Sequence, residues 1–375
     1  MPRRREPPRL WLRERAGRAP VYVILDGGRE VGTGCGLDRS REAQEALARY
    51  LTAKHEPAFG EGDPRRILVA DCLIYYLQSL RDDHRGPEPT HVPWLIEQFG
   101  DMTCSQVNIE TCKAYVVART SGAIGHKPVK EATAKRELET LSAALNRAWK
   151  AGKMDRPIAV WKPDANPQEA RWLTRDEAAR LIRGALGFTP KGFDAEGRVT
   201  GYTRVAKPNY HVARFILIAL YTATRHAAVL GLRWERNAHS GSIDLKERRI
   251  HRRGTEERET RKRRRPCPIP DRLLPHLRRW RRLTVTGPAE YAGETIQRQK
   301  KGFEAARRLS KLDKDVTPHT LKHTCITWML QAGVPTWEVA GFSSTSENLI
   351  RQRYGHHCPD HMENARKALS RRRSA

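Results

Sequence analysis

Apolar residues recur mostly at steps of three and four along this chain and alternate with polar ones only in short stretches. That balance predicts a mainly α protein with small β-sheets, an α+β fold. The first strand signals are Val21-Tyr22-Val23-Ile24-Leu25 and Arg29–Thr33, with Asp26-Gly27-Gly28 between them as a hairpin turn. From Ser40 the period changes, and Ala43, Ala46, Leu47 and Leu51 fall at helical spacing. His55 to Pro64 contains Pro57, Gly60, Gly62 and Pro64 and reads as a linker. Helical spacing then dominates. Leu68, Cys72, Tyr75 and Tyr76 share one face, and Leu138, Leu141, Leu145 and Trp149 share another.

A second linker, Trp161-Lys162-Pro163-Asp164-Ala165-Asn166-Pro167, holds two prolines that a helix interior excludes. Thr174-Arg175-Asp176-Glu177 follows as a capping box ahead of Ala178, Leu181 and Ile182. The remainder is mostly helical, with strands expected over Ser242–His251 and Pro266–Ile269 around a highly charged turn. The expected domains are residues 1–56, 62–155 and 168–375. The first has two readings, a small αβ cap or a β-ribbon with basic flanks that touches DNA.

The chain has 375 residues, enough for two or three cores, and a formal net charge of +27. A protein this basic is expected to meet a polyanion, DNA or RNA, rather than a membrane surface. No apolar run reaches the roughly 18 residues of a membrane-spanning helix. Met1-Pro2-Arg3-Arg4-Arg5-Glu6 is basic but leads into no apolar segment, so no secretory signal is expected and the location is taken as cytoplasmic. Cys35, Cys72, Cys104, Cys112, Cys267, Cys325 and Cys358 form no CxxC pair, which fits reduced thiols. His356-His357-Cys358 with His361 is too tightly spaced to close a tetrahedral site alone, and no metal is expected. Residues 248–282 carry fifteen Arg or Lys against four acids, an imbalance that favours phosphate contact. Trp149 and Trp161 are expected in core or hinge packing rather than as base-stacking platforms.

Three segments carry candidate chemistry. In Phe215–Trp234, Arg225 follows a strongly apolar helix and precedes another apolar turn. A guanidinium so placed needs an anion or a carbonyl, and a structural ion pair is the plain alternative. In Thr317-Pro318-His319-Thr320-Leu321-Lys322-His323-Thr324, Pro318 suits a helix's first turn, so residues 319, 322 and 323 share a face. Two imidazoles and an ammonium on one face are easiest to explain with an anion between them. About thirty residues on comes Arg353-Tyr354-Gly355-His356. A tyrosine hydroxyl, with a usual pKa near 10, becomes a useful nucleophile only beside cations.

Residues 317–356 resemble the C-terminal active-site box of the tyrosine recombinase (phage integrase) family. That pattern runs H-x-L-R-H-T-x-A-T, then A-G-V, L-G-H-S and Tyr-x-His. Without a gap it matches His319, Leu321, His323, Thr324, Thr327, Ala332-Gly333-Val334, Tyr354 and His356. The earlier family box, T-G-x-R-x-x-E-x-x-x-L-x-W, is matched by Thr222, Arg225, Leu232 and Trp234. The resemblance implies an arm-type module over 1–56, a helical core DNA-binding domain over 62–155 and a mixed α/β catalytic domain over 168–375. It implies DNA integration or excision of a mobile element by cutting and rejoining duplex attachment sites. Four copies would act on two sites, with an accessory DNA-bending protein in some systems, near the nucleoid and without a cofactor.

The same resemblance implies roles. Tyr354 attacks phosphorus, giving a 3′-phosphotyrosyl link and a free 5′-hydroxyl, while Arg225 and Lys322 neutralise the phosphate. His319 accepts the tyrosine proton or orients the phosphate, and His323 supports the site from beneath. Lys262 is the hairpin general acid, with Arg261 in the other available place, and Arg261, Arg263 and Arg264 contact DNA. The sequence departs from the pattern at Lys322 (arginine in the family), Thr345 (histidine or tryptophan) and Ala228 (glutamate). Phe342 takes the Thr345 position only if the register slips. A catalytically silent DNA-binding relative is the alternative these departures leave open.

Overall fold

A computed structural model describes residues 8–15, 18–26, 28–54, 56–80, 86–125, 127–164, 170–259 and 263–358. The chain divides into two compact units, residues 1–167 and 168–375. The architecture is mainly α with small antiparallel sheets.

The first unit opens with β1 (Arg9–Arg15), β2 (Arg18–Asp26) and β3 (Arg29–Gly36), an antiparallel sheet with β2 in the middle. Asp26 pairs with Arg29, which leaves a two-residue turn where Gly28 adopts φ +88°. β1 was not anticipated from sequence. Its apolar positions, Leu10, Trp11 and Leu12, are consecutive and set among arginines, so no clean alternation announces it. Four of the helices that follow are α1 (Ser40–Lys54), α2 (Val69–Gln78), α3 (Glu88–Phe99) and α4 (Ile109–Ser121). The fifth is α5 (Glu131–Lys150). Ile24, Leu47 and Leu51 join Leu73, Phe99, Tyr115, Leu138, Leu141 and Leu145 in one continuous core. Trp161 packs partly against it, whereas Trp149 is 37% exposed, contrary to expectation. Steps of three and four from Leu138 lead through Leu141 and Leu145 to Ala148, which takes the inward place and rotates Trp149 outward.

Inside this core Arg119 and Glu137 form a bidentate pair, Nε to Oε2 at 2.9 Å and Nη2 to Oε1 at 2.7 Å. Tyr115 donates to the same carboxylate at 2.7 Å. Burial opposes the charge on Arg119, and Glu137 reverses that and holds its pKa up.

The second unit begins with α6 (Arg175–Ala185), capped by the expected box: Thr174 accepts from the Glu177 amide and Glu177 accepts from the Thr174 amide. A hairpin of β4 (Phe188–Pro190) and β5 (Tyr202–Arg204) leads to α7 (Tyr210–Thr222) and the short α8 (His226–Leu230). β6 (Ser242–Asp244), β7 (Arg249–His251) and β8 (Cys267–Pro268) form the second three-stranded sheet. The stretch 242–251 is thus not one strand but two. Ser242 pairs with His251 across a turn in which Arg248 adopts φ +52°, and the Asp244 carboxylate accepts from the amides of Lys246 and Glu247. That carboxylate–amide turn falls where the run turns polar, at Asp244, Lys246 and Glu247.

α9 (Leu274–Arg281), α10 (Lys300–Leu309), α11 (Pro318–Gln331), α12 (Thr336–Ser343) and α13 (Glu347–Tyr354) complete the unit. α7 is its central helix: Phe215, Ile216, Ile218 and Ala219 are buried among Leu181, Ile250, Leu277, Phe303 and Leu321.

Replacing Glu137 by alanine leaves Arg119 buried without its counter-charge. Urea denaturation should show a loss of about 3–5 kcal/mol in the first unit. A loss below about 1 kcal/mol would show that the pair contributes little beyond its packing.

Candidate active site

α7 ends where Ala223 turns the chain in the left-handed conformation, φ 51°. An alanine therefore occupies the place of the pattern's glycine, in a conformation that costs an L-residue about 1–2 kcal/mol. Arg225 follows as the residue preceding α8. Its Nη1 donates to the Arg263 carbonyl at 3.1 Å and its Nη2 to the Ser344 carbonyl at 3.4 Å. Burial first, then the charges of Arg252 and Arg264, lower its pKa.

Pro318 opens α11, and its first two turns present His319, Lys322 and His323. The two imidazole rings meet edge to face, centroids 4.4 Å apart. The Lys322 Nζ donates to the Ser343 carbonyl at 2.7 Å, and the residue is only 5% exposed. Tyr354 is the last residue of α13 and 3% exposed, packed with Ala223, Ile326, Leu330 and Ile350. Its hydroxyl is hydrogen-bonded to His323 Nδ1.

The electrostatics follow from these positions. Burial, with Arg225 and Arg252 nearby, brings the Lys322 pKa down to about 7. Burial and the charges of His319, Arg353 and Lys322 bring His323 down to about 4. His319 is lowered by burial, then by Lys322 and Arg225. Burial pushes the Tyr354 phenol up to about 12, opposed only by Arg353. Among the described residues, the charged groups that shift Arg225, His319 and His323 are all cations. An arrangement of this kind is completed by an anion, and a phosphate fits its donors.

The structure brings together Arg225, His319, Lys322, His323 and Tyr354. It changes one expectation within that group. The tyrosine hydroxyl meets His323, not His319, so the imidazole expected to lie beneath the site holds the phenol. One helical turn separates the two, and His323, nearer the C-terminal end of α11, is the one facing α13. Arg264 bonds the Glu257 carboxylate. Arg263 and Arg265 line a cleft of about 640 Å³ with Arg225, Thr345 and Trp337. Alternation along the chain puts 263 and 265 on one side and 264 on the other. Lys262 and Arg261 lie outside the described residues.

Thr345 shares the cleft with Arg225, while Phe342 packs against both apolar clusters of this unit and does not line it. Ala228 is half-buried in α8. His356 lies in the turn after α13, its ring 4.0 Å from that of His357. Sequence reasoning missed Ser343 and Ser344, whose carbonyls receive Lys322 and Arg225. A backbone acceptor leaves no signature in residue type. Arg265 could have been found from the alternation.

Residues 202–361 match the phage integrase family. No curated protein matches the chain. Its fold is that of solved integrases. The Tn1549 transposon integrase in complex with transposon right end DNA matches with a TM-score of 0.57 at 15% identity, over 81% of this chain and 100% of that one. A lambda integrase dimer bound to a COC′ core site matches with a TM-score of 0.52 at 15% identity, over 94% of this chain and 96% of that one. The matched stretch takes in Arg225, His319, Lys322, His323, Thr345 and Tyr354.

Because folding disfavours the Lys322 ammonium, the unfolded chain binds that proton more tightly between about pH 7 and 10.5, and stability gains from this group as pH rises through that window. An NMR titration of lysine side chains should find one midpoint near 7. Arg225→Met should move it upward, and a midpoint that stays put would show that Arg225 does not act on it.

Proposed function

We propose that the chain is a site-specific DNA recombinase, an integrase that cleaves and rejoins duplex DNA through a 3′-phosphotyrosyl intermediate. The reading covers integration or excision of a mobile element, with four copies on two attachment sites and, where bending is needed, an accessory protein. It rests on one observation: a tyrosine bonded to an imidazole stands beside cations whose printed acceptors are backbone carbonyls, in the stretch that matches the phage integrase family.

In this mechanism the scissile phosphate settles between Arg225 and Lys322, which offset the charge that grows on its non-bridging oxygens. Lys322 supplies a point charge where a guanidinium would grip two oxygens. Its free-state pKa near 7 rises as the phosphate arrives, and so does that of His323. Neutral His323 takes the proton from Tyr354 as the phenolate oxygen attacks phosphorus. His319 orients the phosphate, and Thr345 offers a hydroxyl from the cleft wall. Lys262 gives its proton to the departing 5′-oxygen. The phosphodiester's energy stays in the phosphotyrosine, so the released hydroxyl of another strand reverses the step without ATP. Arg263 and Arg265 meet the backbone beside the cleft, and Arg261 continues that basic run.

The departures at Lys322 and Thr345 favour a second reading, a DNA-binding relative that has lost cleavage. One experiment separates the two. The protein is incubated with a nicked attachment-site duplex and resolved on a denaturing gel. A covalent adduct is expected from wild type and none from Tyr354→Phe; an adduct that survives this substitution overturns the assignment. Tight, salt-sensitive binding with no wild-type adduct supports the silent relative.

Lys322→Ala should slow adduct formation about 10²–10³-fold. Below saturation, the rate of wild type should fall as pH rises through about 7, because the free-state ammonium is lost above that value. Lys322→Arg should remove that fall. An identical alkaline limb in both proteins would show that another group titrates.

A further inference from the structure

Arg252, directly after β7, is 3% exposed and bonds three separate segments. Its Nε donates to Thr224 Oγ1 at 2.9 Å, and its Nη2 donates to the Thr222 carbonyl. Its Nη1 reaches the Phe342 carbonyl at 2.8 Å, Ser344 Oγ at 3.0 Å and the Arg265 carbonyl at 3.2 Å. The acceptors are three carbonyls and two hydroxyls, and among the described residues no carboxylate pairs with it. Burying a guanidinium on neutral acceptors alone is costly, so the arrangement calls for a reason.

The backbone supplies one. Thr222 and Thr224 bracket Ala223, and Phe342 and Ser344 belong to the second corner, where Ser344 adopts φ 50°. Both corners are left-handed without glycine, a conformation that persists only where the surroundings over-determine it. Arg225 leaves the first corner. The second holds the Ser344 carbonyl that receives Arg225, the Ser343 carbonyl that receives Lys322, and Thr345 in the cleft. The Arg265 amide also donates to Ser344 Oγ at 3.0 Å, tying the basic loop to the same point.

We propose that Arg252 is a positioning residue: its planar fork locks two strained corners together and thereby sets the spacing of Arg225, Lys322 and Thr345 around the phosphate. Its effect on DNA cleavage rests on the recombinase reading, while its effect on the corners does not. Five donors in one plane are needed, and a lysine cannot span both corners.

The test uses the full chain with Arg252→Lys and, as a milder change, Thr224→Val, which removes the Nε acceptor together with the partner of the Thr222 hydroxyl. Hydrogen exchange is read at the amides of Thr224, Arg265 and Thr345, and single-turnover cleavage is read on the nicked duplex together with DNA affinity. Arg252→Lys should exchange faster at these amides than at core amides of α7. It should also cleave about 100-fold more slowly while DNA affinity stays within about threefold. Thr224→Val should lie between it and wild type. Adding Ala223→Gly to Arg252→Lys should recover about tenfold in rate, because a relaxed corner needs less restraint. Unchanged exchange at these amides overturns the clamp, whether or not the protein cleaves DNA. Changed exchange with a wild-type cleavage rate, or a rate that falls only with the folded fraction, overturns its role in spacing the site. Wild type without an adduct sinks the recombinase reading, and exchange still decides the clamp.

Discussion

Arg225, Arg252 and Lys322 are buried or half-buried, the charge of Arg252 acts on both of the others, and the acceptors they reach are backbone carbonyls and hydroxyls. Like charges held this way raise the free energy of the unliganded protein, and each is shifted toward losing its proton. A surface that stores this cost is relieved by one kind of visitor. The carbonyls orient the cations without neutralising them, which a carboxylate would do. The cations are thus left available to an anion because the ordinary partner of a buried arginine does not bond them. The first unit shows the contrast: Arg119 has Glu137 and is fully satisfied.

Position along an element decides what the neighbouring residues can do. α11 starts at Pro318, so His319, Lys322 and His323 fall on its first two turns and aim at different partners. His323 faces the end of α13, Lys322 faces the end of α12, and His319 faces a cleft shared with Arg353. Three residues in one short motif therefore reach three different places.

Much of this could be read from the sequence because helices and caps are local. The Thr174 box, the buried face of α7 and the ungapped register of His319, His323 and Tyr354 depend on residues within a few turns, or on spacing alone. What escaped depended on contacts across the chain. Arg252 looks like one cation among fifteen in a charge run, and only its five acceptors, three of them backbone, set it apart. The choice between His319 and His323 turned on which one α13 approaches. Trp149 was misplaced for a simpler reason: a step of four was taken where the helix used a step of three, to Ala148. β1 stayed hidden because its pairing with β2, rather than its own pattern, makes it a strand.

The setting of Tyr354 has a further implication for how such a protein survives in a crowded cell. A phenol with pKa near 12, sealed among aliphatic side chains and tied to an imidazole, is nearly inert toward any electrophile that drifts past. Reactivity is then governed by access more than by acidity. In the recombinase reading the hydroxyl meets phosphorus only where the last turn of α13 gives it access, which makes that turn the place where specificity would be exercised, ahead of any bond being broken.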